Sequence, residues 1–247
     1  MLEKLTMEFL GTLFGVYFTG MGLMQLATKQ IDLLTFSIMC FAVYSTLAWI
    51  GKNVSLAQFN PAVSLSLVTT HHLKLGYALS FVAAQTLACF FGISLLLVSA
   101  SDNDLDLTRE HFLIGFPRSE SRSLVQLGLA EFIGAFLLVF VYYILVLEKS
   151  APKYVYGAGV GACWFCLAYW LYPKTGCGLN ISRMLAYAVL SDNYTNLYVY
   201  AIANIAGSWL GATIGNLMLT EKAESLRSDR KPPKRIREAP ERQELIE

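Results

Sequence analysis

Apolar residues along this chain neither alternate nor recur as a narrow helical stripe; they come in runs. Six runs are long enough to cross a bilayer as helices, at about 5–27, 32–51, 75–99, 123–147, 154–172 and 195–219. A crossing needs about 20 mostly apolar residues. Two further runs, 61–69 and 181–190, are too short. As helix they reach roughly 12–15 Å, half the hydrocarbon thickness. Each follows an asparagine, Asn60 in "QFNPAVSLSL" and Asn180 in "TGCGLNISR". The pattern predicts an all-α membrane protein of six transmembrane helices and two re-entrant half-helices. Non-helical backbone at membrane depth is tolerated only where it is buried or lines a wet cavity. A pair of short, interrupted segments in matching places is therefore a pointer to a binding or permeation site.

The two halves match. "MEFLGTLFGVYF" (7–18) aligns with "AEFIGAFLLVFV" (130–141). Glu8 stands 52 residues before Asn60, and Glu131 stands 49 before Asn180. Gln85 follows Asn60 by 25 residues, and Asn204 follows Asn180 by 24. Three spans and a half-helix are thus repeated. Three is odd, so the second copy is inverted and the half-helices enter from opposite faces. The expected organisation is one transmembrane channel domain over 1–220, with repeat 1 at about 5–99 and repeat 2 at about 123–219, then a tail over 221–247.

Composition agrees with a membrane body. Of 247 residues, 55% are hydrophobic and only 15% charged. The charge gathers in the tail, which holds eight Lys/Arg and seven Asp/Glu. Being polar and Pro-bearing, the tail is expected to be a disordered cytosolic segment. Six spans put both termini on one side, and that side carries 13 Lys/Arg against 5, so the termini are expected to be cytosolic. The membrane is either the plasma membrane or an intracellular one. The first apolar run is read as a span, since it outlasts a signal peptide and lacks a small-residue cleavage site. No basic face with interleaved aromatics suggests nucleic acid. Cys163 and Cys166 form a CxxC inside an apolar run, where packed thiols are the plainer reading than redox or metal chemistry. Asn193-Tyr194-Thr195 is a glycosylation sequon on the expected outer face.

The repeat, "QFNPAV", "TGCGLNISR" and the two Glu-bearing spans resemble the aquaporin (major intrinsic protein) family over about residues 5–219. The first motif, Asn60-Pro61-Ala62, matches in full. The second departs from Asn-Pro-Ala-Arg: it reads Asn180-Ile181-Ser182-Arg183. Physically, Asn is a good N-cap and Pro suits the first helical position. Each half-helix would then aim its positive dipole end at the membrane centre and repel cations. The two Asn amides would donate to one passing water and interrupt a proton wire.

The resemblance also implies a selectivity filter of Cys40 (or Phe41 with a one-residue shift), Ala168, Cys177 and Arg183. It casts Glu8 and Glu131 as supports of the re-entrant loops, and it implies a homotetramer. Isolated carboxylates with no partner base, nucleophile or metal ligand do not suggest an enzyme, and no cofactor is expected. Ala168, where water-selective members often carry His, argues for a wider and less polar filter. Met184, where many glycerol-conducting members carry Asp, argues the other way. The reading taken is a passive channel for water, extending to small neutral solutes such as glycerol, urea, hydrogen peroxide or ammonia. The alternative is a non-conducting protein of the same fold, acting in adhesion or as a partner subunit. A third, an inverted-repeat transporter, would need a charged coupling residue at mid-depth besides Arg183.

Overall fold

The structure, a computed structural model, describes residues 1–101, 123–147 and 153–228, with side chains over 155–219 in the last stretch. Eight α-helices are described. Helix α1 spans Leu2–Ala27, α2 Leu33–Ser55, α3 Pro61–Thr69 and α4 Leu75–Ser99. Helix α5 spans Leu124–Tyr142, α6 Lys153–Thr175, α7 Ile181–Ser191 and α8 Leu197–Ser228. Six helices are long and apolar enough to cross a membrane; α3 and α7 are the two short ones.

Local signals set the starts. Asp32 caps α2 by accepting from Thr35 N–H at 2.7 Å. Ser123 and Gln126 form a capping box at the start of α5. The packing follows the repeat: α1 lies on α4 as α5 lies on α8, and α2 meets α6 across the two halves. Glycines let α2 and α6 approach closely. A methyl on Gly161 would lie 2.6 Å from the Phe41 carbonyl oxygen, and one on Gly157 2.8 Å from that of Ser45. With lipid outside, such close backbone approach is what holds helices together.

Two features depart from the expectation. The fourth span is not one α-helix: after Tyr142 it widens into a π-helical turn over Tyr143–Leu147. That turn lets consecutive tyrosines serve the first re-entrant segment. Tyr142 donates to Leu56 C=O at 2.7 Å and Tyr143 to Ser66 C=O at 2.8 Å. The last helix also continues to Ser228, into the segment expected to be disordered. Glu221-Lys222-Ala223-Glu224 are good helix formers, so nothing stops the helix where the apolar run ends. The rest of the tail lies outside the described residues, as do Arg109, Arg118, Arg122 and Lys149 of the charge count.

Candidate channel site

The loop before α3 cannot satisfy its own backbone. Leu56, Ala57 and Phe59 have positive φ, which turns their N–H groups away from any helical partner. Glu8 of α1, fully buried, collects two of the loop's N–H groups, those of Gln58 and Phe59. Its Oε1 accepts from Gln58 N–H at 3.0 Å and Ser55 Oγ at 2.5 Å. Its Oε2 accepts from Phe59 N–H and Gln85 Nε2, both at 2.7 Å. Glu131 of α5 does the same for the loop before α7. Oε1 accepts from Thr175 Oγ1 at 2.5 Å and Gly178 N–H at 2.9 Å, and Oε2 from Asn204 Nδ2 at 3.3 Å. Ser55 and Thr175 occupy equivalent places, as do Gln58 and Gly178, and Gln85 and Asn204.

A glycine follows each glutamate by one helical turn. A methyl on Gly11 would run into the Phe59 ring, and one on Gly134 into Leu171 Cδ1 and, at 2.9 Å, Leu179 Cδ2. The absent side chains make the slots that seat the residues just before Asn60 and Asn180. In each half, therefore, "EFxG" holds the loop backbone with its carboxylate and the loop side chain with its glycine.

So seated, each asparagine caps its own half-helix and reaches the other. Asn60 Oδ1 accepts from Ala62 N–H at 2.9 Å, and its Nδ2 donates to Leu179 C=O at 2.8 Å. Asn180 Oδ1 accepts from Arg183 N–H at 3.2 Å, and its Nδ2 donates to Phe59 C=O at 3.1 Å. The two N-termini are thus tied by reciprocal bonds. An amide NH₂ has two hydrogens, so each asparagine keeps one beyond this bond. Pro61 stands at the first position of α3. Ile181 takes that place in α7, where the N–H has no intrahelical partner in any case. Ser182, at the position of Ala62, shares a 2.6 Å hydrogen bond with Thr86 of α4.

Arg183 is buried, and its Nη2 donates to Cys177 C=O. Its Nε has no partner among the described residues. Cys40, Ala168, Cys177 and Arg183 all line one cavity, which leaves about 10 Å³ for the centre of a water molecule. That is about one molecule's worth. Phe41 instead lines a groove on the outside of the α2–α6 seam. A second cavity, of about 40 Å³, lies against Asn60 and Asn180 and is walled by Ala48, Val63, Leu138 and Val160.

Between these cavities the structure holds residues the sequence reading passed over. Tyr44 of α2 and Trp164 of α6 stack with centroids 4.0 Å apart and planes 9° apart. At the far end of the smaller cavity, Phe36 and Tyr172 meet edge to face at 5.0 Å. The positions form a ladder, one rung per helical turn: Phe36, Cys40, Tyr44 and Ala48 on α2, and Tyr172, Ala168, Trp164 and Val160 on α6. The signal lay in these i, i+4 series of alternating large and small residues.

The family model for major intrinsic protein matches residues 1–215. The chain is 28% identical over 214 residues to "Aquaporin NIP1-2" of Oryza sativa subsp. japonica, covering 85% of this chain and 70% of that protein. It is 28% identical over 227 residues to "Lens fiber major intrinsic protein" of Homo sapiens, covering 89% and 82%. Among solved structures it is similar to the aquaglyceroporin from Plasmodium falciparum. There the TM-score is 0.76 at 22% identity, over 91% of this chain and 99% of that one.

Proposed function

The chain belongs to the major intrinsic protein family, and on that premise we propose that it conducts water passively, and small neutral solutes with it, while excluding protons. Members of this family are integral, multi-pass membrane channels and not enzymes. The observation that carries the reading is the reciprocal pair of bonds from Asn60 to Leu179 C=O and from Asn180 to Phe59 C=O. They hold two amides and two helix N-termini at the wall of one cavity.

A water passing there accepts the remaining hydrogen of each amide. Both its lone pairs are then engaged and its own hydrogens point away along the path. The hydrogen-bonded chain that would carry a proton is broken at that molecule. The opposed helix dipoles, each worth roughly half a positive charge at the N-terminus, repel cations at the same point. Arg183 adds a full charge in the neighbouring cavity, its guanidinium aimed by the Cys177 carbonyl. In this reading Cys40, Ala168, Cys177 and Arg183 form the filter, and Glu8 and Glu131 keep the loops in register. Residues 1–220 are the channel domain. Neither Ile181 nor Ser182 removes a cap, a dipole or an amide, so the altered second motif is compatible with conduction.

The test is osmotic shrinkage of proteoliposomes followed by stopped-flow light scattering, with sucrose and then glycerol outside. Water efflux faster than from empty liposomes, blocked by a mercurial in the native chain and not in Cys177→Ser, is the expected result. Shrinkage no faster than from empty liposomes, with folded and inserted protein, would overturn the reading in favour of a non-conducting member of the fold.

A further inference from the structure

We infer that the stacked Tyr44–Trp164 pair is a steric barrier, one helical turn inside the ring of Cys40, Ala168, Cys177 and Arg183, and that it sets how readily solutes wider than water pass. The inference rests on the channel reading above and adds a second determinant to it. Two distinct cavities lie along the path, one holding the filter residues and one against the asparagine pair. Among the described residues, Tyr44 and Trp164 alone line both. Their ring faces, with centroids 4.0 Å apart, are in van der Waals contact, which leaves no width for a water between them. A permeating molecule therefore has to part the rings.

The side chains around the pair explain why it sits there. Tyr44 leans on α1 where Gly15 leaves room: a methyl on Gly15 would lie 3.5 Å from Tyr44 Cε1 and 3.8 Å from its hydroxyl oxygen. The rungs on either side are small, Cys40 and Ala168 outward and Ala48 and Val160 inward. The two rings thus have short side chains above and below them and border a cavity on each side. At the filter rung Cys40 and Ala168 are short side chains that reach little of the path. The steric selection that Ala168 cannot supply is supplied one turn deeper by Trp164. Tyr44 also leaves a phenol at the barrier, where it faces the cavity that Arg183 lines. The barrier therefore has two apolar ring faces and one hydroxyl. It favours small uncharged solutes over ions, and it opens for width at a cost that grows with the solute.

The experiment compares proteoliposomes carrying the native chain, Trp164→Val, Tyr44→Leu and, as a control, Cys166→Ala, each checked for insertion and thermal stability. Water and glycerol permeability are measured over a range of temperatures. Trp164→Val and Tyr44→Leu are expected to raise glycerol permeability by about tenfold, an order expected when a modest steric barrier is removed, and to flatten the temperature dependence of water flux. Cys166→Ala, at an exposed position on α6 that lines neither cavity, is expected to leave the glycerol-to-water ratio at the native value. The inference is overturned if the native chain conducts and both barrier variants keep its ratio and its temperature dependence. It is also overturned if Cys166→Ala raises the ratio as much as the two barrier variants do. A steep temperature dependence of water flux in the native chain supports the barrier even where a variant fails to insert; a shallow one counts against it. If the native chain and every variant match empty liposomes, the channel reading falls and this inference with it.

Discussion

The two re-entrant turns differ in sequence where they touch the centre of the molecule and agree in how they are held. The first reads Asn60-Pro61-Ala62 and the second Asn180-Ile181-Ser182. In both, the asparagine caps the half-helix and donates to the carbonyl before its counterpart. In both, a buried glutamate collects the loop and a glycine one turn on seats the preceding side chain. The supports are not equal, however. Glu8 takes four donors, two of them backbone N–H, while Glu131 takes three, one of them backbone. Each loop also has a tyrosine clamp: Tyr142 donates to Leu56 C=O at 2.7 Å, and Tyr200 donates to Thr175 C=O at 2.5 Å. The lesson is that proline and alanine are the dispensable part of the motif. Proline pre-sets a backbone angle at a position whose N–H is orphaned anyway, and its loss leaves no donor stranded.

Removing the carboxylates strikes the comparison hardest. Each buried donor left unsatisfied costs about 1–3 kcal/mol, so Glu8→Ala and Glu131→Ala should each lower stability by several such steps, Glu8→Ala by more. Thermal unfolding in detergent gives the order, and an equal or reversed loss would show that the two loops do not lean differently on their glutamates. Filling the glycine slots comes next. Gly11→Ala and Gly134→Ala should cost about 1–3 kcal/mol by overpacking. Gly11→Ala should be worse, because it meets the rigid Phe59 ring, which Gly51 also hems, while Gly134→Ala meets the ends of two flexible side chains, Leu171 and Leu179. Equal midpoints for the two variants would count against that asymmetry.

Asn60→Asp and Asn180→Asp separate the cap from the amide. Each keeps an acceptor for its own helix and gains a favourable charge there, but loses the donor that crosses to the other half. Stability should fall by more than about 1 kcal/mol, the worth of a typical hydrogen bond, because a buried carboxylate oxygen then faces the other half's carbonyl. Proton leak under a pH gradient should rise in both, and leak unchanged from native would refute the amides' part in proton exclusion. The smallest effect is expected from Ile181→Pro. It restores the first-half motif at a position that suits proline, so stability should move by no more than about 0.5–1 kcal/mol and water permeability should hold. A severalfold gain in flux would mean that Ile181 does obstruct the path.

The scaffold was legible because membrane depth leaves few options. Runs of about 20 apolar residues had to be spans, and polar residues beginning two short runs had to be held by something. The glutamates emerged from the internal repeat, since Glu8 and Glu131 fall at matching distances. The barrier at Tyr44 and Trp164 stayed hidden because α2 and α6 are apolar nearly all round. With no polar face to orient them, an i, i+4 series of aromatic and small residues looks like any other face. The π-helical turn was hidden for another reason: residues 142–147 are all content in an α-helix, and the turn is explained by what Tyr142 and Tyr143 reach in the other half. The extension of α8 to Ser228 shows that an apolar run marks where a span is buried rather than where its helix stops.

The reciprocal asparagine bonds also put the molecule on a clock. Asn60 and its acceptor Leu179 are 119 residues apart in sequence, and Asn180 and Phe59 are 121 apart. A ribosome adding about 5–20 residues each second needs roughly 6–24 s to cover that distance. Through that interval the Asn60 amide has no acceptor from the other half, and the carbonyls of Leu56, Phe59 and Ser66 lack the donors that Tyr142, Asn180 and Tyr143 bring. The first repeat carries its own glutamate, glycine and cap, and it waits for the second repeat to complete these bonds.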